Sequence, residues 1–129
     1  MAAINYCPCG SQKSYADCCG PYLDGQQTAP TAEALMRSRY TAYTLLRDDY
    51  LLATWHSSTR PAALNLAAEP PTQWLGLTVK DHQSIADQAT VEFVARYRIN
   101  GRAQRLQEVS RFTREADHWF YLDGECDVR

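Results

Sequence analysis

The feature that most constrains the fold of this chain is a group of four cysteines near its amino terminus, Cys7-Pro8-Cys9 and, after eight residues, Cys18-Cys19. Two short segments that each carry a pair of thiolates match the donor set of tetrahedral zinc, in which sulfur lies about 2.3 Å from the metal. Gly10, between the pairs, allows a tight turn. The spacing therefore predicts a small knuckle around structural Zn²⁺ with all four cysteines as ligands. So short a segment has little apolar core, and we expect it to be disordered without metal.

Other uses of these cysteines remain open. Adjacent Cys18 and Cys19 are poorly placed to bond each other, and five cysteines leave one unpaired, which argues against a disulfide framework. An iron–sulfur cluster or another metal is chemically possible, although clusters usually draw on wider spacing, and incidental cysteines that bind no metal are the remaining alternative. Structural zinc is the favoured interpretation, and Cys126 is expected to be an ordinary thiol.

The cysteine segment resembles a known zinc motif. The residues that carry the resemblance are Cys7-Pro8-Cys9-Gly10-Ser11, Lys13, Tyr15 and Cys18-Cys19-Gly20, and they are similar to the SEC-C motif at the end of the bacterial preprotein translocase motor. In that motor the motif docks a secretion chaperone, so the resemblance implies recruitment of a partner. Gln12 and Ser14 depart from the glycine and the basic residue usual at those positions.

The rest of the chain resembles the bacterial YchJ-like family. The resemblance rests on three segments, which are 33–43, 50–56 and 108–112. It implies a knuckle followed by a cystatin-like cone similar to nuclear transport factor two. It leaves the biochemical activity open.

Composition limits the size of the fold and the general charge of its surface. A chain of 129 residues that is 45% hydrophobic can bury one core but hardly two. A net charge of −2 gives no general attraction to nucleic acid or anionic membrane. Met1 to Tyr6 lack a basic start and an apolar run, and no segment reaches the length of a membrane span. We therefore expect a cytoplasmic protein, in a compartment where thiols stay reduced.

The chain is expected to divide once, at the polar stretch 25–30, into a zinc knuckle at 1–24 and an α+β domain at 31–129. Helical periodicity runs from Ala32 to about Leu46, with Leu35, Met36, Tyr40 and Tyr43 on one side and Arg37, Ser38 and Thr41 mostly on the other. A second short helix is predicted from Asp48. A third is predicted to begin at Pro61 and to end before Pro70-Pro71.

The second half of the chain reads as strands. Alternation places Leu75, Leu77 and Val79 together on one strand, a longer run from Val91 to Ile99 forms the next, and Trp119 to Leu122 form an aromatic last strand. Asn100-Gly101 favours a two-residue hairpin turn. With three helical pieces and four strands, the expected fold class is α+β, a cone of helices over one face of a curved antiparallel sheet.

The hairpin turn also predicts which residues face the core. Its register sets Phe93 opposite Glu108, so a carboxylate lies on the apolar face. Such a group is costly unless it is paired, and Arg39, His56 or a tyrosine hydroxyl is the expected partner. The candidate pocket lining is Glu108, Ser110, Arg39, His56, Tyr43 and Trp74. A buried glutamate that ties helices to a sheet is the favoured interpretation over a functional carboxylate.

Four arginines are predicted on the opposite face of the sheet, namely Arg96, Arg98, Arg105 and Arg111. This face is expected to be solvated or to pack on a second copy of the chain. Specific nucleic-acid binding is not expected of an acidic protein.

The sequence as a whole favours a non-catalytic role. No nucleophile elbow, phosphate-binding loop or paired-carboxylate motif is present, and four thiolates would close the coordination of zinc. We therefore predict an adaptor that docks to a protein or ribonucleoprotein through Lys13, Tyr15, Pro21 and Tyr22. The alternative is an enzymatic or small-molecule-binding pocket that uses Glu108 and His56, with Arg39 and Tyr43.

Overall fold

In a computed structural model of the chain, which describes residues 6–68 and 71–128, short helices lead into one antiparallel sheet. The α-helices are α1 (Gly20–Leu23), α2 (Ala32–Thr44) and α3 (Asp48–Ala53), and 3₁₀ turns occupy Tyr15–Asp17 and Leu66–Ala68. The strands are β1 (Thr72–Ile85), β2 (Gln88–Ile99), β3 (Arg102–Glu115) and β4 (His118–Val128). The predicted α+β class is confirmed.

Parts of three predictions lie outside the described residues. They are residues 1–5 of the knuckle, Glu69 and Pro70 at the end of the third predicted helix, and Arg129. Within the described ranges, no helix combines the length and the hydrophobicity that a bilayer span requires.

Helix α2 begins where the sequence predicts. The Thr31 side chain accepts a hydrogen bond from the Ala34 backbone N–H at 3.0 Å, and Glu33 lies in the first turn, where negative charge is favourable. The helix ends at Thr44, before the predicted Leu46, because Leu46 has a left-handed backbone with φ of 56°.

The side of α2 that looks polar in the sequence is buried. Ser38 and Thr41 are both 0% exposed. The Ser38 hydroxyl meets the Tyr50 hydroxyl of α3 at 2.7 Å, and Thr41 Oγ1 lies 3.6 Å from Cys7 Sγ. Small polar side chains on this side allow α3 and the cysteine segment to pack closely against α2. Helix α2 is therefore covered by these segments on one side and by the sheet on the other.

The four strands follow one another in the order β1-β2-β3-β4, and each neighbouring pair is antiparallel. The predicted hairpin is confirmed, because Asn100 and Gly101 both have positive φ, at 51° and 77°. Phe93 lies opposite Glu108 in the observed register, as predicted. Glu108 therefore shares the inner face of the sheet, which the helices cover.

The prediction of an α-helix from Pro61 is wrong for the described part of that segment. Only the 3₁₀ turn Leu66–Ala68 forms there. Asn65 before it has φ of 56°, which interrupts a right-handed helix, and the Leu66 N–H donates to Asp48 Oδ2 at 3.2 Å.

Leu75 does not share the inner side of β1 with Leu77, contrary to the simple alternation. The register against β2 shifts between Trp74 and Gly76, so Leu75 is the extra residue of a bulge and is 44% exposed. The bulge turns both Trp74 and Leu77 toward the core, where Trp74 stacks edge-on against Tyr40 at 5.4 Å between ring centroids.

The cysteine segment and the cone share one core. Cys7, Cys9, Cys19 and Leu23 belong to the same buried cluster as the inner side chains of α2 and the sheet. Arg37 Nη1 also donates to the Cys9 carbonyl at 2.8 Å, and Arg47 Nη2 to the Leu23 carbonyl at 3.1 Å. The boundaries at 1–24 and 31–129 stay a prediction, but the knuckle is packed firmly on the cone.

Candidate functional site

The first pair of cysteines lies in a tight turn. The Cys7 N–H donates to the Lys13 carbonyl at 2.8 Å, and the Gly10 N–H donates to the Cys7 carbonyl at 3.3 Å. Gly10 has φ of 81°, and a Cβ there would lie 3.1 Å from the Leu77 carbonyl oxygen of β1. A glycine is therefore required by both the turn and the sheet that it touches.

The second pair lies between two short helical turns. Cys18 ends the 3₁₀ turn Tyr15–Asp17, and Cys19 precedes α1, whose first turn contains Pro21. The adjacent side chains Cys18 and Cys19 can thereby approach the first pair, with their sulfurs 3.9 Å apart.

The four sulfur atoms converge as the sequence predicts. All of them lie within 4.8 Å of one another, and Cys9 Sγ is 3.6 Å from Cys18 Sγ. Ligands at about 2.3 Å on the corners of a tetrahedron are separated by about 3.8 Å. The donor set and its spacing therefore fit a metal ion bound by four thiolates.

The surroundings of the cluster favour a closed site. Cys7, Cys9 and Cys19 are buried, at 3%, 0% and 1% exposure, whereas Cys18 is half-buried and has the Ser11 hydroxyl 3.1 Å from its sulfur. Within the described residues, no histidine or carboxylate joins the four sulfurs. The four cysteines therefore constitute the entire candidate ligand set.

Hydrogen bonds among the thiols shift the pKa values of Cys9 and Cys19 in opposite directions. Hydrogen bonds with Cys19 and Cys7 lower the pKa of Cys9, whereas the corresponding bonds together with burial raise the pKa of Cys19. Burial raises the pKa of Cys18. A metal that binds all four sulfurs must therefore displace protons from the cluster.

The predicted docking residues do not all line one groove. Lys13, Pro21 and Tyr22 line a groove of about 580 Å³ beside Cys18. Tyr15 is not part of that lining. Its ring lies against Gly20, where a Cβ would be 3.2 Å from ring atom Cε1. Tyr15 is half-buried, as Pro21 and Tyr22 are, and its ring packs against the knuckle itself.

An inner cavity of about 280 Å³ lies between α2 and the sheet. Five of the six predicted pocket residues line it, namely Glu108, Ser110, Arg39, Tyr43 and Trp74. Glu108 is half-buried, and the Ser110 hydroxyl donates to its Oε2. Burial raises the pKa of the Glu108 carboxyl, and this hydrogen bond and the nearby charge of Arg39 offset only part of the effect.

His56 lies outside this cavity, so the prediction that it shares a pocket with Glu108 is wrong. After α3 the chain runs beside β4, and the His56 N–H donates to the Tyr121 carbonyl at 2.7 Å. The imidazole Nε2 lies 2.7 Å from Glu115 Oε2, and Nδ1 lies 2.7 Å from the Ser58 hydroxyl. These contacts hold the ring near the end of β3.

Arg39 does not pair with Glu108 either. Its Nη1 donates to the Leu51 carbonyl at 2.8 Å and to the Thr54 hydroxyl at 2.7 Å. Its guanidinium carbon lies 5.1 Å from the centre of the Trp55 ring and 4.6 Å from that of Tyr121. No ion pair joins Arg39 to Glu108 among the contacts of the described chain.

The register places the four predicted arginines on the outer face of the sheet. Arg96 lies opposite Arg105, and Arg111 is paired with Asp123 of β4. Arg98 Nη1 donates to the Gln73 side chain at 3.1 Å. Contact of this face with a second copy stays a prediction.

Sequence reasoning missed two residues that shape these sites. Thr41 faces Cys7, and with the half-buried Arg37 it lies on a second covered side of α2 that the apolar pattern does not reveal. Gly124 of β4 makes room for Glu108, because a Cβ there would lie 2.5 Å from Oε2. Cys126, opposite Glu108 in register, is exposed and carries a free thiol.

Comparison with known families agrees with both parts of the chain. The family described as "YchJ, middle NTF2-like domain" matches residues 31–124, and the SEC-C motif matches residues 7–21. A "UPF0225 protein" of Polaromonas naphthalenivorans is 54% identical, over 92% of this chain and 96% of that protein. Another, from Xanthomonas campestris pv. campestris, is 56% identical, over 92% of both chains.

Two solved structures share this fold. The solution structure of a SEC-C motif containing protein from Rhodopseudomonas palustris has a TM-score of 0.85 and 39% identity, and covers 92% of this chain and 96% of that one. The crystal structure of a SEC-C motif containing protein from Psychrobacter arcticus has a TM-score of 0.76 and 32% identity, and covers 91% of this chain and 80% of that one. With both family matches, these relatives show that the chain belongs to the YchJ (UPF0225) family of SEC-C motif proteins.

Proposed function

We propose that the protein is a non-catalytic docking protein whose knuckle is held in shape by Zn²⁺. The observation that carries the proposal is the closed group of four sulfurs, packed into the core of the cone. Four thiolates complete the tetrahedral coordination of zinc and leave no position for substrate. The metal would then act by folding and fixing a surface.

The chemistry of the ligand set supports zinc in a reducing compartment. Thiolates are soft ligands that favour zinc over magnesium, calcium or manganese. All five cysteines are free thiols. We propose the cytoplasm as the location, because thiols there stay reduced and available to metal.

The proposed docking surface is the groove beside the knuckle, with Lys13, Pro21 and Tyr22 on its rim. Lys13 is exposed and supplies a positive charge, while Pro21 and Tyr22 are half-buried and offer rigid apolar area. The same groove contains Glu33 and Arg37, which form an ion pair at 3.0 Å. The proposed partner is a protein or ribonucleoprotein that contacts both the charge and the apolar rim.

Catalysis by Glu108 together with His56 is not part of the proposal, because the two side chains lie in different environments. His56 is held by Glu115, whereas Glu108 faces the inner cavity.

Crosslinked affinity capture from bacterial lysate tests the docking proposal. The bait is the zinc-loaded full chain, since removing the knuckle would expose the shared core. Lys13→Glu should strongly reduce recovery of the partner, while Lys80→Glu, which reverses the chain's other lysine on β1, should not. Both variants should keep one zinc per chain and the circular dichroism of the native protein. Equal recovery by the two variants would refute the assigned surface.

A further inference from the structure

The inner cavity has the size and walls of a site for a small aromatic molecule. Its volume is about 280 Å³, many times what a single water molecule requires. Six aromatic side chains line it, namely Tyr40, Tyr43, Trp74, Phe93, Phe112 and Tyr121. Small-molecule sites are typically apolar and aromatic with a few polar groups that set orientation.

Glu108 is the one acidic side chain among the described residues that line this cavity. Among the described residues, its carboxyl has a hydrogen bond only from Ser110, although a carboxylate accepts several. Gly124 leaves the space that the carboxyl occupies against β4. Burial of a carboxylate with one donor is costly, so a further donor in the cavity would stabilise it.

A purely structural role for Glu108 does not fit its contacts. A glutamate that ties helices to a sheet would pair with Arg39, the cation on the facing helix. Arg39 instead donates to the Leu51 carbonyl and the Thr54 hydroxyl, and its guanidinium stacks against Trp55 and Tyr121. The junction between α2 and α3 is thus held without Glu108.

The charges around the cavity select a ligand without net charge. Arg39 repels a cation and an ionised Glu108 repels an anion, each group attracts the ion that the other repels, and an ion of either sign would also lose its hydration in the cavity. Their own contacts hold the Arg39 guanidinium and the Glu108 carboxylate apart, so the two charges do not neutralise each other in an ion pair. A neutral molecule with a donor N–H or O–H avoids both repulsions and supplies the donor that Glu108 lacks.

We propose that the inner cavity binds a small, neutral aromatic molecule that donates an N–H or O–H hydrogen bond to the Glu108 carboxylate. This inference is independent of the docking function, which uses a different surface. Trp74, Tyr43 and Tyr121 are half-buried and line the same space, so the aromatic ring of the ligand would pack among them.

Indole is the probe, because it is small enough to enter the cavity, is neutral and has one N–H donor. Two-dimensional NMR on the ¹⁵N-labelled, zinc-loaded full chain should show saturable shifts at Glu108, Ser110 and Trp74. 1-Methylindole, in which a methyl group replaces the donor hydrogen, should bind about tenfold or more weakly, as expected for a lost hydrogen bond to a charged group. Tryptamine and indole-3-acetate should also bind at least about tenfold more weakly, because one carries a cation and the other an anion.

Variants locate the hydrogen bond on the protein. Glu108→Met should remove the preference for indole over 1-methylindole, whereas Glu92→Met should retain it. Glu92 lies one residue from Phe93 on β2, and alternation along the strand sends its side chain to the outer face. The proposal is overturned if indole shows no saturable binding, if 1-methylindole binds as tightly, or if a charged analogue binds best. The comparison of ligands on the native chain decides the question even if Glu108→Met fails to fold.

Discussion

Replacing Gly124 with alanine tests how closely the Glu108 carboxyl packs against β4. Gly124 pairs with Ser110 in the sheet, and a Cβ atom added to it would lie 2.5 Å from Oε2 and 2.9 Å from Cδ of Glu108. Both distances are far inside the optimal separation of nonbonded atoms. Glu108 would have to swing away, and its hydrogen bond with Ser110 would be lost.

Two opposing effects set the size of the change. Ser110 is only 2% exposed, and a buried hydroxyl deprived of its partner costs about 1–3 kcal/mol. Alanine in place of glycine stabilises by about 0.4–1 kcal/mol through the unfolded chain. We expect Gly124→Ala to lower the free energy of unfolding by about 1.3 kcal/mol in the native background, within a range of about 0–2.6 kcal/mol. In the Glu108→Ala background the carboxyl no longer blocks the added Cβ. There, Gly124→Ala should raise the free energy of unfolding by about 0.4–1 kcal/mol.

Urea unfolding of the four proteins of this double-mutant cycle, at one fixed concentration of free zinc, measures the coupling. Gly76→Ala is the matched control, because Gly76 also lies in a strand and a Cβ there meets nothing within 4 Å. Gly76→Ala should stabilise the native protein and the Glu108→Ala variant by the same amount. If Gly124→Ala behaves like Gly76→Ala and shows no coupling to Glu108→Ala, the placement of the carboxyl over β4 is wrong.

Three further predictions concern the metal and the cavity. Chelation of zinc should lower the melting temperature of the sheet as well as that of the knuckle. Relative to protein with free zinc at a thousandfold its Kd, the expected decrease is about 12–20 °C. An unchanged transition of the sheet would contradict the shared core. Thr41→Val should weaken zinc binding about 10–100-fold in chelator competition, whereas Thr44→Val, whose hydroxyl donates to the Thr41 carbonyl, should not. Because burial raises the Glu108 pKa, the folded state holds more protons than the unfolded state between the two pKa values, and the free energy of unfolding should fall as pH rises through that interval. Glu108→Gln should flatten this slope in urea titrations. Burial lowers the pKa of the facing Arg39, but a guanidinium stays charged at these pH values, and Tyr43 and Tyr121, with raised pKa values, stay neutral. An unchanged slope would exclude Glu108 as its source.

The strands and the main helix were predictable because local rules govern them. The cap at Thr31 and the apolar spacing after it predict α2, and Asn100-Gly101 sets the register that places Glu108 on the inner face. The segment after Pro61 was mispredicted because proline indicates where a helix can start but says nothing of Asn65, whose left-handed backbone interrupts it. Leu75 was misplaced because a bulge breaks simple alternation.

The sequence by itself determined the four candidate metal ligands, the α+β class and the inward carboxylate, since each depends on residue type and short spacing. Only the tertiary structure decided which groups meet across the molecule. It joined the knuckle to the core through Thr41 and Arg37, held Arg39 away from Glu108, and placed His56 beside Glu115. These contacts link residues far apart in the chain, and their partners are chosen by how helices and sheet pack, which no local pattern encodes.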